Sequence, residues 1–193
     1  MARPKEFDQE KALDKAMALF WQKGYEATSI QDLVNHLGIG RRSLYDTFKS
    51  KQALYMAALD RYSEMVKSSL AIPDAQPGSP KMAIRQSFEQ IIDQVLNDPS
   101  RRGCFMVNSA IELAPHDRLV AECVRDLTQF LEQAFYELLE RAKKSGELNP
   151  ALDLQETAQF LNNAVFGIRV QAKINPDRQT LTNVMNLTLS ILD

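Results

Sequence analysis

Residues 28–51 read Thr-Ser-Ile-Gln-Asp-Leu-Val-Asn-His-Leu-Gly-Ile-Gly-Arg-Arg-Ser-Leu-Tyr-Asp-Thr-Phe-Lys-Ser-Lys, from Thr28 to Lys51. The spacing predicts a helix, a glycine-flanked turn and a second short helix. Ser29 is a good N-cap, because its hydroxyl can accept a backbone N–H of the first turn. Asp32, three residues on, completes a capping-box-like start and sets a negative charge at the positive helix end. Ile30, Leu33, Val34 and Leu37 recur at helical spacing as one apolar face. Gly38 stands where a left-handed C-terminal residue is wanted, and Gly40 leaves the turn before the next helix flexible. That next helix is expected to bury Leu44 and Phe48, four apart, which leaves Arg41, Arg42, Ser43 and Tyr45 on its other faces.

Working outward, helical signals continue in both directions. Leu13, Ala16, Met17 and Phe20 mark an amphipathic helix from about Asp8 to Lys23, ended by Gly24. Ser50 can cap a fourth helix, on which Tyr55, Ala58, Leu59, Tyr62 and Val66 line one face. The three prolines of Ile72-Pro-Asp-Ala-Gln-Pro-Gly-Ser-Pro80 forbid a regular helix and read as a loop. Beyond it, Ile84, Phe88, Ile91, Ile92 and Val95 define a fifth helix. A sixth is expected over about Gly103–Leu113, and a long seventh over about Asp117–Lys144 has a wide apolar stripe suited to several neighbours. The last two are expected at about Leu154–Lys173 and Arg178–Leu192.

The 193 residues are 45% hydrophobic and 25% charged, ordinary for a globular protein. No run approaches the roughly 18 apolar residues of a membrane span, and the N-terminus lacks an apolar signal core. A cytoplasmic protein without membrane attachment is the expectation. Cys104 and Cys123 are too few for a disulfide framework, and His36 and His116 have no metal-ligand spacing, so neither metal nor cofactor is expected. The net charge of −2 divides unevenly. Residues 1–67 carry 11 Lys and Arg against 9 Asp and Glu, whereas residues 68–193 carry 12 against 16. Within 38–51, Arg41, Arg42, Lys49 and Lys51 face Asp46 alone. Positive charge is thus concentrated on a short helix whose basic start and hydroxyl-bearing side chains suit a DNA major groove.

Phe20, Gly24-Tyr25, Thr28-Ser29-Ile30, Leu37-Gly38-Ile39, Leu44-Tyr45, Phe48, Ser50-Lys51 and Leu54 together resemble the TetR family of bacterial transcriptional regulators. The resemblance covers about residues 7–55 and is specific, because aromatic, glycine and cap positions agree at once. It implies an all-α fold of about nine helices. Residues 1–52 would form a three-helix, helix-turn-helix DNA-binding domain, and residues 53–193 a ligand-binding and dimerisation domain. Gly103-Cys104-Phe105-Met106-Val107-Asn108 is similar to a subset of the family whose sixth helix begins this way.

The resemblance further implies that Arg41, Arg42, Ser43 and Tyr45 read bases, with Thr28, Ser29 and Lys51 on phosphates and Arg3 reaching a minor groove. The partner would be a pseudo-palindromic double-stranded operator, bound by a homodimer formed through the last two helices. Asp46 departs from the family pattern, where an aromatic or histidine is common; it either accepts from a cytosine amino group or orients an arginine. By analogy of fold, Met65, Phe88, Ile92, Cys104, Phe105, Asn108, Phe130, Phe166 and Arg169 are candidates to line an effector site. Cys104 is read either as a packed apolar residue or as a sensor thiol activated by a helix start and Arg101 and Arg102. An effector-independent DNA-binding dimer is a further reading. An all-α enzyme is disfavoured, since no nucleophile-and-base pair appears.

Overall fold

The computed structural model describes residues 7–69 and 78–193, and no strand occurs among them. Nine α-helices follow in order: α1 Gln9–Lys23, α2 Ile30–Leu37, α3 Arg41–Phe48, α4 Lys51–Ser69, α5 Pro80–Leu96, α6 Phe105–Glu112, α7 Arg118–Lys144, α8 Leu154–Ile174 and α9 Arg178–Leu189. A 3-10 turn, Ser190–Leu192, ends the chain. Two compact units result. One comprises Met1–Ser69 with Asn108–Val124, the other Leu70–Val107 with Arg125–Asp193. The packing units therefore do not follow a single cut along the sequence.

The first unit is built on α1, α2, α3 and α4. Asp8 accepts from the N–H groups of Glu10 and Lys11, and Gly24 ends α1 with its N–H on the Phe20 carbonyl. Ser50 caps α4 through the Ala53 N–H at 3.0 Å. Phe20, Leu33, Leu44, Leu54, Tyr55, Leu59 and Tyr62 are all buried. Aromatic edges knit the core: Phe20 meets Tyr55 at 5.0 Å, and Trp21 meets Tyr62 at 5.0 Å, both edge-on. Arg61 ties α4 to α1 through Glu10 and through Asp14 at 2.9 Å. Phe48 is only partly buried, so Leu44 alone anchors α3 fully.

The second unit packs α5 on α8 and α9, with the later turns of α7 closing the core. Ile84, Phe88, Ile92, Leu139, Leu161, Ile168 and Leu181 are among its most buried apolar side chains. The proline-rich loop lies largely outside the described residues. Its last proline does not break a helix: Pro80 is the first residue of α5 behind the Ser79 cap, where a missing N–H costs nothing. The sixth helix starts two residues later than its sequence suggests. Arg101 and Gly103 hold positive φ of 48° and 68°, which no right-handed helix admits. Similarly, α9 gives way to the 3-10 turn, which Lys81 pins through the Leu192 carbonyl at 3.0 Å and Asp193 at 2.6 Å. No helix among the described residues is long and apolar enough to cross a membrane.

Candidate nucleic-acid interface and effector site

The segment from Ser29 to Phe48 has the reciprocal geometry its sequence demands. The Asp32 N–H donates to Ser29 Oγ at 3.0 Å, while Asp32 Oδ2 accepts from the Ser29 N–H at 2.9 Å. The amide and hydroxyl of Ser29, with the Lys23 ammonium 3.2 Å away, hold the Asp32 carboxyl down at about 2. A carboxyl depressed below its ordinary 3.8 lends stability above that value and loses it as pH falls toward 2. Ser29→Ala is therefore expected to lower stability by about 1 kcal/mol at neutral pH. The deficit should shrink in urea titrations carried down to pH 2, where Asp32 protonates in both proteins. Gly38 closes α2 in the left-handed region at φ 70°, and Gly40 opens α3 without a side-chain cap.

Because Leu44 is wholly buried, α3 turns Arg41, Arg42 and Tyr45 outward, with Tyr45 40% exposed. Ser43 is half-buried between them. Asp46 lies one turn beyond Arg42, with Oδ2 3.7 Å from Arg42 Nε, and Lys49 Nζ donates to the Asp46 carbonyl at 2.9 Å. The exposed face of α3 thus carries two guanidiniums, one phenol and one carboxylate beside Arg42. Lys51, the first residue of α4, holds its ammonium 4.0 Å above the Tyr25 ring. Ser29 is exposed, but Thr28 is not.

Thr28 requires a correction. It is fully buried, its hydroxyl donates to the Gly24 carbonyl at 2.6 Å, and its N–H donates to the Tyr25 carbonyl at 3.1 Å. Both donors are spent inside the turn, so Thr28 is a packing residue with nothing left for a phosphate. Arg3 lies outside the described residues.

The effector-site candidates disperse. Phe88 and Ile92 belong to the packed core of the second unit, with Phe88 set 5.9 Å from Phe135. Met65 is 46% exposed on α4 and Phe130 is also exposed, so neither is walled into an interior. Cys104 and Phe105 are buried at the start of α6. A Cβ on Gly103 would lie 2.6 Å from Lys173 Cδ and 3.5 Å from the Arg169 carbonyl, so this segment sits against the end of α8 that bears Arg169. Half-buried Phe166 and Arg169 occupy the same side of α8, three apart, and half-buried Asn108 falls in the first unit. Arg102 bonds Asp98 through its N–H at 2.9 Å and its guanidinium at 3.2 Å. A separate cleft of about 270 Å³ between α5 and α9 is lined by Glu89, Ile92, Asp93, Arg178, Thr182 and Met185, so it takes in only Ile92 of the candidates.

Comparison with known proteins decides the family. Residues 12–58 match the family model for bacterial regulatory proteins of the tetR family, and residues 80–188 match that of the tetracyclin repressor-like C-terminal domain. The chain belongs to the TetR family. It is 40% identical over 195 residues to the HTH-type transcriptional regulator YezE of Bacillus subtilis, covering the whole of both chains. It is 33% identical to the HTH-type transcriptional repressor ComR of Escherichia coli, over 98% of this chain and 90% of ComR. The TetR-family regulator CifR, solved as a triple cysteine variant with 26-base-pair operator DNA, superposes with a TM-score of 0.87 at 28% identity over all of both chains. This TetR-family chain is thus a DNA-binding transcriptional regulator, of a family of regulators rather than enzymes.

One residue escaped the sequence reading. Asn162, in the middle of α8, is 2% exposed, and its Oδ1 has no hydrogen-bond partner among the described residues. Such an orphaned acceptor carries a desolvation penalty of about 1–3 kcal/mol. Asn162 precedes Phe166 and Arg169 by four and seven residues, which sets all three on one stripe of α8. Asn162→Leu is accordingly expected to raise unfolding free energy in urea by about 1 kcal/mol, because it removes the acceptor and keeps the branched shape. A loss of stability of that size would mean that Oδ1 is already satisfied.

Proposed function

We propose that this TetR-family regulator is a homodimeric repressor that binds a pseudo-palindromic operator and leaves it when a small molecule binds the second unit. The observation that carries the DNA half is the exposed face of α3. Arg41 and Arg42 can each donate two hydrogen bonds to a guanine edge, and Tyr45 can stack on a sugar or thymine methyl and bond a phosphate. Ser43 supplies a hydroxyl and Lys51 a cation, seated over the Tyr25 ring, for a phosphate, whereas Ser29 donates both its amide and its hydroxyl to Asp32 and serves as the cap of α2. Asp46, 3.7 Å from Arg42, is read as the residue that aims that guanidinium. ComR supports repression as the sign, being a named repressor that this chain matches over nearly its whole length.

Dimerisation is supported by what α8 and α9 leave uncovered. Phe160, Val170, Ile174, Val184, Leu187 and Ile191 are exposed apolar side chains on the last helices, with Ile174 at 73% and Leu187 at 78%. A patch of this kind marks an association surface, and a two-fold operation buries it against its own copy. The effector half of the reading is supported by the stripe Asn162, Phe166 and Arg169 and by Phe105. An acceptor, a ring and a cation set on one helix suit a small anion that carries a hydrogen-bond donor. Such a ligand releases DNA only as far as it binds the released conformation better.

Anisotropy of a labelled duplex taken from the gene's own upstream DNA tests the proposal. Tight binding with a two-fold symmetric footprint, weakened at least ten-fold by a small organic acid, is the expected result. Binding that no compound of a metabolite panel alters would leave the effector-independent dimer as the better account.

A second reading makes Cys104 a sensor thiol. It is favoured by the packing of Gly103 on the Lys173 stem, which brings a lysine to the same segment, and by the solution of CifR as cysteine variants. Against it, Cys104 is 7% exposed, and the Arg102 guanidinium that would favour a thiolate is bonded to Asp98. Alkylation by iodoacetamide separates the two: the leading reading predicts a slower reaction than that of a free peptide cysteine, and the sensor reading a faster one.

A further inference from the structure

The turn after α1 carries the N–H groups of Tyr25 and Glu26 beyond the helical ladder, because Gly24 already donates to the Phe20 carbonyl. One side chain far along the sequence takes up both. Glu112, the last residue of α6, accepts from the Tyr25 N–H at 3.0 Å through Oε2 and from the Glu26 N–H at 2.8 Å through Oε1. Hydrogen bonds to an ionised carboxylate are about twice as strong as neutral ones.

Gly24 is matched to this carboxylate. Its φ is +86°, and a Cβ there would lie 2.9 Å from Oε2 and 3.0 Å from Oε1 of Glu112. Only glycine lets the carboxylate close on the two amides. One turn back on the same face of α6, Ser109 Oγ lies 2.8 Å from the buried Tyr55 hydroxyl. Tyr55 in turn stands edge-on to Tyr25 at 4.9 Å. A third tie comes just before α7, where Gln52 Nε2 donates to Asp117 at 2.6 Å. Every one of these partners lies within the first unit, so α6 grips the turn that delivers Ser29 and α2.

We propose that Glu112 is a positioning residue for operator binding: by clamping the Tyr25 and Glu26 amides it sets the orientation in which α2 and α3 meet DNA. It acts through the turn, with no contact to base or phosphate of its own. The test rests on the two-headed reading above, since orientation matters most when two recognition helices must fit one operator together.

The probes are a duplex selected from random sequence by the wild-type protein and the same duplex with one half scrambled. Glu112→Ala is expected to weaken the full duplex at least ten-fold and the half duplex less than three-fold, at a temperature where circular dichroism finds it folded. Glu112→Gln, which keeps one acceptor oxygen for one amide, should fall between. It decides by the same ratio if the alanine variant fails to fold. Equal weakening of both duplexes marks Glu112 as merely structural and overturns the proposal, as does unchanged binding to both. A wild-type protein that sediments as a monomer and binds both duplexes alike overturns the dimer reading and, with it, the positioning role. Failure of the proposal alone is confined to the variants.

Discussion

Leu187→Glu is expected to leave the protein monomeric in equilibrium sedimentation at micromolar concentration if the proposed dimer forms through α9, and to lower operator affinity by ~10²–10⁴-fold. Leu187 is 78% exposed on α9, so the single chain gains nothing from its apolar surface and loses little when it is replaced. A dimer that covers it would have to bury an unpaired carboxylate, which costs far more than the lost apolar area. The loss on DNA then follows from geometry. Two joined heads present the second recognition helix at a high effective concentration, and a monomer forfeits that advantage without losing any contact of its own. Thermal stability of the monomeric variant measured by circular dichroism should become independent of protein concentration, whereas that of the wild type should rise with it.

The second large effect lies on α3. Arg41→Ala and Arg42→Ala are each expected to cost ~1–3 kcal/mol of operator binding, and the double variant should bind its operator little better than random DNA. The two need not respond alike to salt. An arginine on a base edge relaxes specificity at its own position, whereas one on a phosphate lowers the salt slope by about one unit. Asp46→Ala provides the control. If the carboxylate serves to aim Arg42, its removal weakens the preferred base pair and leaves random-sequence binding equal or stronger, since a repelling charge has gone. Preservation of the full operator preference in Asp46→Ala would leave Arg42 without an orienting partner.

The parts of the fold legible in the sequence were those set by residues close together along the chain. The capping box at Ser29 and Asp32 and the left-handed Gly38 are three- and four-residue devices, and both stand where their spacing puts them. The nine helices follow from apolar periodicity, with errors confined to ends where backbone conformation overrode pattern, as at Gly103 and Pro80. What escaped depends on partners far away in sequence. Thr28 has the composition of a phosphate ligand, and only the closed turn at Gly24 reveals that its hydroxyl is spent. Gly24 reads as a plain helix stop, yet its second demand comes from Glu112.

The effector-site candidates were hardest to read, because a core wall and a ligand wall use the same apolar residue types. Phe88 and Phe166 cannot be told apart by periodicity, and only packing puts Phe88 in the closed core of the second unit. Asn162 was missed for the opposite reason. Its polarity is lost within the stripe of Leu161, Val165 and Ile168, and an orphaned acceptor becomes visible only once its neighbours are placed.

Hydroxyl-radical footprinting on the gene's own upstream DNA tests the central claim most directly. A dimer that docks α3 from each protomer in successive major grooves predicts two protected patches on one face of the duplex, about 34–36 Å apart, both lost in the Arg41→Ala, Arg42→Ala double variant. A single patch, or a footprint that the double variant reproduces, would contradict it.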